Sequence, residues 1–156
     1  MPDVDPGDYS IRSRWTRMGE GGETITTDVA TAPAAVTVIG GENPPLCIQV
    51  EQTPGAAVEG RLEFSSGRTS DESPIALTFL RIDRLDRREV VVVRIEPGAT
   101  LFRLDEMGPG DYSVSVERAA LPPGRPGAAR HVGVVPSHLT VPGLAPVSVV
   151  LEIADE

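Results

Sequence analysis

The residues of this sequence that could do chemistry are mostly carboxylates, and several of them gather at two turns. They are Asp105, Glu106 and Asp111 around one turn, and Asp3, Asp5 and Asp8 around the other. Carboxylate oxygens brought together on a loop can bind calcium, although the same residues also suit a turn that only faces solvent. A general acid would need burial to raise its pKa, and solvent screens carboxylates on turns. The sequence therefore leaves calcium binding open and predicts no catalytic carboxylate.

The other reactive side chains do not form a catalytic or metal-binding set. His131 and His138 lie seven residues apart on predicted extended chain, so they face opposite sides, and no zinc ligand set is completed nearby. The sequence has no Gly-x-Ser-x-Gly nucleophile elbow. All 14 lysine or arginine positions are arginine, which excludes a Schiff-base lysine. We expect no catalytic residue, no cofactor and no metal site apart from the calcium possibility at the two turns, and therefore no enzyme activity.

The single cysteine, Cys47, lies in the alternating apolar run Leu-Cys-Ile-Gln-Val. A free cysteine in such a run behaves as a small hydrophobic residue, so we expect a buried and inert thiol. With one cysteine the chain cannot form an internal disulfide.

The net charge of −9 limits the classes of partner. It argues against nucleic acid, which is bound through basic surfaces, and against an anionic membrane surface. No apolar run approaches the roughly 20 residues of a membrane-spanning helix, and the N-terminus lacks the pattern of a signal peptide. Because the chain begins within a predicted strand, we expect any export signal to lie outside this segment.

The elements that must position these residues are β-strands. Residues 99–118, ATLFRLDEMGPGDYSVSVER, alternate apolar and polar residues on either side of a Pro-Gly turn, which predicts an antiparallel hairpin. The second strand of this hairpin has a counterpart near the N-terminus, DPGDYSIRSRW at 5–15 against GPGDYSVSVER at 108–118, with the tyrosines 103 residues apart. PAAVTVIGG and PSHLTVPGL then match in the same order. We predict that residues 1–53 are the C-terminal half of one β-sandwich repeat and that residues 54–156 are a complete second repeat.

The fold class predicted from this spacing is all-β, a seven-stranded antiparallel Greek-key sandwich. Residues 34–39 and 46–51 are expected to pair as a further hairpin, and residues 16–23 to form a glycine-rich loop. The predicted core consists of Val58, Leu62, Phe64, Leu77, Phe79, Val91, Val93, Phe102, Leu104, Tyr112, Val114, Val116, Val149 and Leu151.

Two kinds of aromatic position stand out. Tyr112 is expected to pack its ring inward while its hydroxyl reaches a backbone partner, as in a tyrosine corner. Trp15 is the only tryptophan; it could stack on a sugar or pack against a neighbouring domain.

The loops at 16–23 and 122–127 follow the same strand of the two copies, so we expect both to project from one end. The predicted interaction surface is therefore Trp15, Arg17, Arg125 and Arg130.

The stretch Val58–Phe64 contains Gly-Arg-Leu-x-Phe, and residues 102–116 read F-x-L-x-x-M-x-P-G-D-Y-S-V-x-V. Together these two patterns resemble the carboxypeptidase regulatory-like domains. These are transthyretin-like seven-stranded sandwiches, grouped by fold with starch-binding-like modules. The resemblance covers residues 54–155 and, in its second half, residues 5–52. One departure is Glu96-Pro97-Gly98-Ala99, where the family has an Asp-Gly turn.

The resemblance implies a structural or interaction module, one repeat of a tandem array in a larger exported bacterial protein. Its partners would then be neighbouring domains of the same or another chain, and its location extracellular, periplasmic or on the cell surface. A carbohydrate-binding module is the alternative, which rests on fold analogy. The low aromatic content, 4%, speaks against glycan binding.

Overall fold

The computed structural model of the protein describes residues 4–18, 24–29, 31–41, 43, 45–50, 54–65, 74–84, 88–118 and 130–154. This part of the chain is all-β and contains no helix, as predicted. The strands are β1 (Gly7–Ser10), β2 (Ser13–Met18), β3 (Thr24–Val29), β4 (Thr31–Ala32), β5 (Ala35–Val38), β6 (Gln49–Val50), β7 (Ala56–Phe64), β8 (Ile75–Arg81), β9 (Glu89–Ile95), β10 (Leu101–Met107), β11 (Gly110–Arg118), β12 (Arg130–Val132), β13 (Val134–Val135), β14 (His138–Val141) and β15 (Val147–Ile153).

Two packed sheets form a β-sandwich. Sheet I has the strand order β10-β7-β15-β13, and sheet II the order β12-β11-β8-β9-β3-β2, with β14 also paired to β11. Two small sheets, β1–β5 and β4–β6, complete the described strands. The antiparallel pairing expected from the sequence holds for every described pair except β15 with β7, which are parallel. These two strands lie far apart in sequence, so no hairpin constrains their direction.

Alternating burial places the core between the two sheets. In β7 alternate residues from Ala56 to Phe64 are buried, whereas those between them are half-buried or exposed. Phe79 of sheet II meets Phe102 of sheet I with ring centroids 6.0 Å apart. A Cβ atom at Gly60 would lie 1.9 Å from the Phe102 ring, so glycine is required there. The predicted core is confirmed except for Val149, which is half-buried against it. The core also contains Ile25, Ala56, Ile75, Ile95, Met107, Leu139, Val141 and Ile153.

The predicted hairpin at residues 99–118 is wrong. Strand β10 pairs with β7 in sheet I, whereas β11 pairs with β8 in sheet II. The turn at Gly108-Pro109 therefore carries the chain from one sheet to the other. Alternation of apolar and polar residues indicates only that one face of a strand is buried. Two strands in opposite sheets have this alternation just as the two strands of a hairpin do.

The second predicted hairpin is also wrong. Strand β5 pairs with β1, and β6 pairs with β4. The loop expected at 16–23 begins later than predicted, because residues 16–18 belong to β2 and pair with β3. Residues 19–23 lie outside the described residues, as does the predicted loop at 122–127.

Strand β3 joins the early part of the chain to the sandwich. It pairs antiparallel with β9, from Thr24 opposite Val92 to Thr27 opposite Glu89. Ile25 is 3% exposed and belongs to the core. The β2–β3 pair thus continues sheet II beyond β9.

The described strands within residues 4–50, here called the first segment, have the same pairing as those within residues 110–153, the second segment. Tyr9 pairs with Val36 as Tyr112 pairs with Leu139. Three further strand pairings match between the segments. Ser13 pairs with Val29 as Val116 pairs with Val132. Thr31 pairs with Val50 as Val134 pairs with Ile153, and Ala32 pairs with Gln49 as Val135 pairs with Glu152. Every equivalent position lies 103 residues later, the spacing of the two tyrosines.

Hydrogen bonds repeat at the same spacing. The Thr37 hydroxyl donates to Asp8 at 2.6 Å, and the Thr140 hydroxyl donates to Asp111 at 2.6 Å. The Ile11 amide donates to the Ala34 carbonyl and the Val114 amide to the Ser137 carbonyl, both at 2.8 Å. The two segments therefore share local structure down to individual side-chain contacts.

No helix in the described ranges has the length and the apolar character that crossing a bilayer would require.

Candidate functional site

Glu89, at the start of β9, is the charged residue that the described structure buries, with 5% of its surface exposed. Its Oε1 accepts hydrogen bonds from the Gly108 amide at 3.1 Å and from the Tyr112 hydroxyl at 2.9 Å. The same hydroxyl lies 2.7 Å from the Gly108 carbonyl oxygen, which confirms the backbone partner expected for Tyr112. These contacts connect β9 and β11 to the turn between the two sheets.

Arg81, at the end of β8, forms ion pairs with Glu89 and with Asp83. Its Nε donates to Asp83 at 2.7 Å, its Nη1 to Glu89 at 3.3 Å, and its Nη2 to the Pro109 carbonyl. The hydrogen bond with Asp83 raises the pKa of Arg81 and holds the pKa of Asp83 below its usual range. The guanidinium also lies 6.0 Å from the centre of the Tyr112 ring, within cation–π range.

The contacts of this cluster stabilise the turn between the two sheets. Burial, and then the neighbouring Glu89 carboxylate, raise the pKa of Tyr112 far above its usual value, so the phenol keeps its proton. A Cβ atom at Gly110 would lie 2.7 Å from Arg81 Nε, so the guanidinium fills the space beside the turn. The cluster therefore ties the sheet-to-sheet turn to β8 and β9.

Glu89 was not singled out from the sequence. The signal was present in Glu-Val-Val-Val-Val-Arg-Ile, because Glu89 has the same phase as Val91 and Val93, both of which were predicted to face the core. A glutamate in phase with inward valines must find hydrogen-bond partners. Those partners come from the end of β8, eight residues earlier, and from the turn and β11, 19 and 23 residues later.

A second polar contact connects β2 to β10. The guanidinium of Arg17 lies 5.7 Å from the centre of the Trp15 ring and forms an ion pair with the Glu106 carboxylate. Glu106 has a positive φ of 64° and sits where the pairing of β10 with β7 shifts register. A bulge of this kind redirects a side chain away from the ladder, and here it faces Arg17.

The predicted interaction residues do not lie together. Trp15 and Arg17 are on β2, and Arg130 is on β12 at the opposite end of sheet II. Arg125 lies outside the described residues. Trp15 is 43% exposed, and Arg130 is also exposed. A role of these side chains in binding a partner stays a prediction.

Three of the carboxylates considered for calcium face different partners. Asp105 accepts a hydrogen bond from Arg103, Glu106 one from Arg17, and Asp111 one from Thr140. Asp3 lies outside the described residues. Within the described ranges, no group of three or more histidine, cysteine, aspartate or glutamate side chains is placed to hold a metal ion.

Cys47 corrects another expectation, because it is exposed. Its equivalent in the second segment is Val150, which is 51% exposed on the outer face of β15. Residues 45–49 are all exposed, so burial in this run does not follow the alternation that the sequence predicted.

The inward phase of the first segment is also open to solvent. We call Tyr9, Ile11, Val36, Val38 and Ile48 the open face. Tyr9 is 38% exposed and Ile48 is 43% exposed, whereas their equivalents Tyr112 and Leu151 are fully buried. Ile11, Val36 and Val38 are half-buried. Equivalent residues are thus covered in the second segment, whereas they are not covered in the described part of the first.

A scan against protein-family models, a search of curated proteins and a search of solved structures each found no match.

Proposed function

We propose that the protein is a non-catalytic structural and interaction module, one unit of a tandem array in which neighbouring units share a β-sheet. The observation that carries this proposal is the pairing of β3 with β9. It joins the first segment, which has the strand pairing of the second, to the sheet of the unit that follows it in the chain.

The equivalence of the two segments indicates how further units would be added. Strand β3 is equivalent to β12, and the Asp28 amide donates to the Arg88 carbonyl at 2.8 Å. The equivalent of Asp28 is His131, on β12 at the end of sheet II. In an array, β12 would pair with the β9 strand of the next unit, and His131 would donate to its Arg88 carbonyl.

The proposed family is that of the carboxypeptidase regulatory-like domains, with a prealbumin-like Greek-key arrangement of each unit. The support is the sequence pattern at 58–64 and 102–116, together with a β-sandwich in which Tyr112 forms the expected corner. Under this proposal the unit belongs to a larger exported bacterial protein and works at the cell surface, in the periplasm or outside the cell. Its partners are neighbouring domains.

The absence of catalysis is part of the proposal. It is supported by the way the buried ionisable groups are used: Glu89, Arg81 and Tyr112 are hydrogen-bonded to one another or to the turn at Gly108-Pro109. Such a cluster stabilises a fold and presents no free base or nucleophile to a substrate.

The test is a fusion in which a second copy of residues 54–156 follows residue 156 directly. Residue 156 is equivalent to residue 53, so the fusion keeps the natural spacing of the junction. We expect hydrogen exchange at the His131 amide to slow at least tenfold in the fusion relative to the single chain. The Asp28 amide is the internal reference, since it is already bonded in both proteins. Equal exchange at His131 in the two proteins would refute the shared sheet.

A further inference from the structure

In the second segment, the face equivalent to the open face is covered by β8. There, β8 lies along β11 in register from Tyr112 opposite Arg81 to Arg118 opposite Ile75. Phe79 pairs with Val114 and Leu77 with Val116, and all four side chains are buried. The positions equivalent to Tyr112, Val114 and Val116 are Tyr9, Ile11 and Ser13.

The polar groups of the main chain have the same orientation in the first segment as in the second. In the second segment the Asp111 carbonyl accepts from the amide of Ile82, directly after β8, whereas the Val114 amide donates to the opposite side, at Ser137. Ile11 donates to Ala34 as Val114 does to Ser137. Since successive residues of a strand point their polar groups to opposite edges, Ser10 and Arg12 point toward the edge that β8 occupies in the second segment. No described strand lies on that edge, because β1 pairs with β5 and β2 ends sheet II.

We infer that residues 9–15 and the open face form a docking site for an antiparallel strand with the chemistry of β8, supplied by a second unit of the same fold. Such a strand has apolar side chains at alternate positions facing the open face, and an arginine opposite Tyr9. The inference deepens the proposed function, because it concerns the opposite edge of the same first segment from the one that pairs with β9.

Charge favours a β8 strand over a second copy of the same edge. In the equivalent register, Arg12 would lie opposite Thr78 and Arg14 opposite Ala76, which are both neutral. Two copies of residues 9–15 paired antiparallel about Arg12 would place Arg12 opposite Arg12. Like charges directly opposite one another destabilise a strand pair, so the identical edge is the poorer partner in this register.

The test uses the full chain and a fluorescent peptide of residues 74–84, PIALTFLRIDR. We expect saturable binding by fluorescence anisotropy, with slower hydrogen exchange at the Ser10 and Arg12 amides. A peptide with Leu77→Asp and Phe79→Asp should bind at least tenfold more weakly. In the chain, Arg12→Pro removes an amide from the docking edge, and Ile11→Asp places a charge on the open face. Each should weaken binding at least tenfold.

Leu101→Asp is the matched control, since Leu101 is an exposed apolar residue on β10, 71% exposed and remote from this edge. It should leave peptide binding unchanged. Three results would overturn the inference: no binding of the peptide, binding that neither Arg12→Pro nor Ile11→Asp weakens, or self-association of the chain that the peptide does not compete with. The His131 exchange measurement does not depend on any of these, so the two proposals can fail separately.

Discussion

The two segments of this chain have the same strand registers but different surroundings. In the second segment, β8 runs along β11 across the point where its pairing changes from β14 to β12, and β11 is one continuous strand. In the first segment the equivalent stretch is interrupted between Ser10 and Ser13, giving β1 and β2. Pairing within each segment is therefore the same whether or not a described strand lies on the other edge, whereas a neighbour on that edge makes the strand continuous and buries its face.

The largest expected difference between the segments is in core truncation. Leu151→Ala removes a fully buried side chain and should lower the free energy of unfolding by about 2–5 kcal/mol. Ile48→Ala is the equivalent change on the open face, where the side chain is 43% exposed, and should cost less than about 1 kcal/mol. Urea denaturation measures both. Similar losses would mean that the first segment is covered in solution.

The tyrosine hydroxyls should differ next. Tyr112→Phe leaves buried Glu89 without one of its donors and should cost about 1–3 kcal/mol. The Tyr9 hydroxyl donates to the Asp5 carbonyl at 2.8 Å, but Tyr9 is exposed, so Tyr9→Phe should cost no more than about 0.5 kcal/mol. Thermal or urea unfolding of the two variants makes the comparison. A loss from Tyr9→Phe as large as that from Tyr112→Phe would show that the two corners are energetically alike.

Alkaline pH should reveal the same contrast. Because burial raises the pKa of Tyr112 in the folded state, the unfolded tyrosine loses its proton first, near pH 10. The contribution of Tyr112 is therefore complete below pH 10, and the free energy of unfolding should fall by about 1.4 kcal/mol per pH unit above it. Tyr9→Phe should keep this dependence and Tyr112→Phe should remove it. The measurement is urea unfolding from pH 9 to pH 11, and an unchanged slope in Tyr112→Phe would refute the assignment.

The smallest expected effect concerns the contact between the first segment and β10. The ion pair of Arg17 with Glu106 is partly exposed, so Arg17→Gln should cost about 0.2–1 kcal/mol. A double-mutant cycle with Glu106→Gln isolates the coupling, and 1 M salt should reduce it. A coupling above about 2 kcal/mol would mean that this contact, rather than β3–β9, holds the first segment in place.

Much of this could be predicted from residues alone. Period-two alternation identified the core of the sandwich, including Phe79 and Phe102, because the phase of a strand decides which face is buried. The Tyr112 corner followed from the turn and the strand after it. Glu89 shows the limit, since its phase was readable but its partners, Arg81, Gly108 and Tyr112, come from three other places in the chain.

What the sequence determined by itself is the strands, the inward phase of most of them, and the correspondence between the segments at a spacing of 103 residues. These follow from local sterics and from short-range patterns. The tertiary structure alone decided which strands are neighbours: that β10 and β11 lie in opposite sheets, that β5 pairs with β1, and that β3 continues the sheet beyond β9. The reason is physical, because alternation specifies a buried face, while the partner on each edge is set by long-range backbone hydrogen bonds that any strand of suitable phase could make.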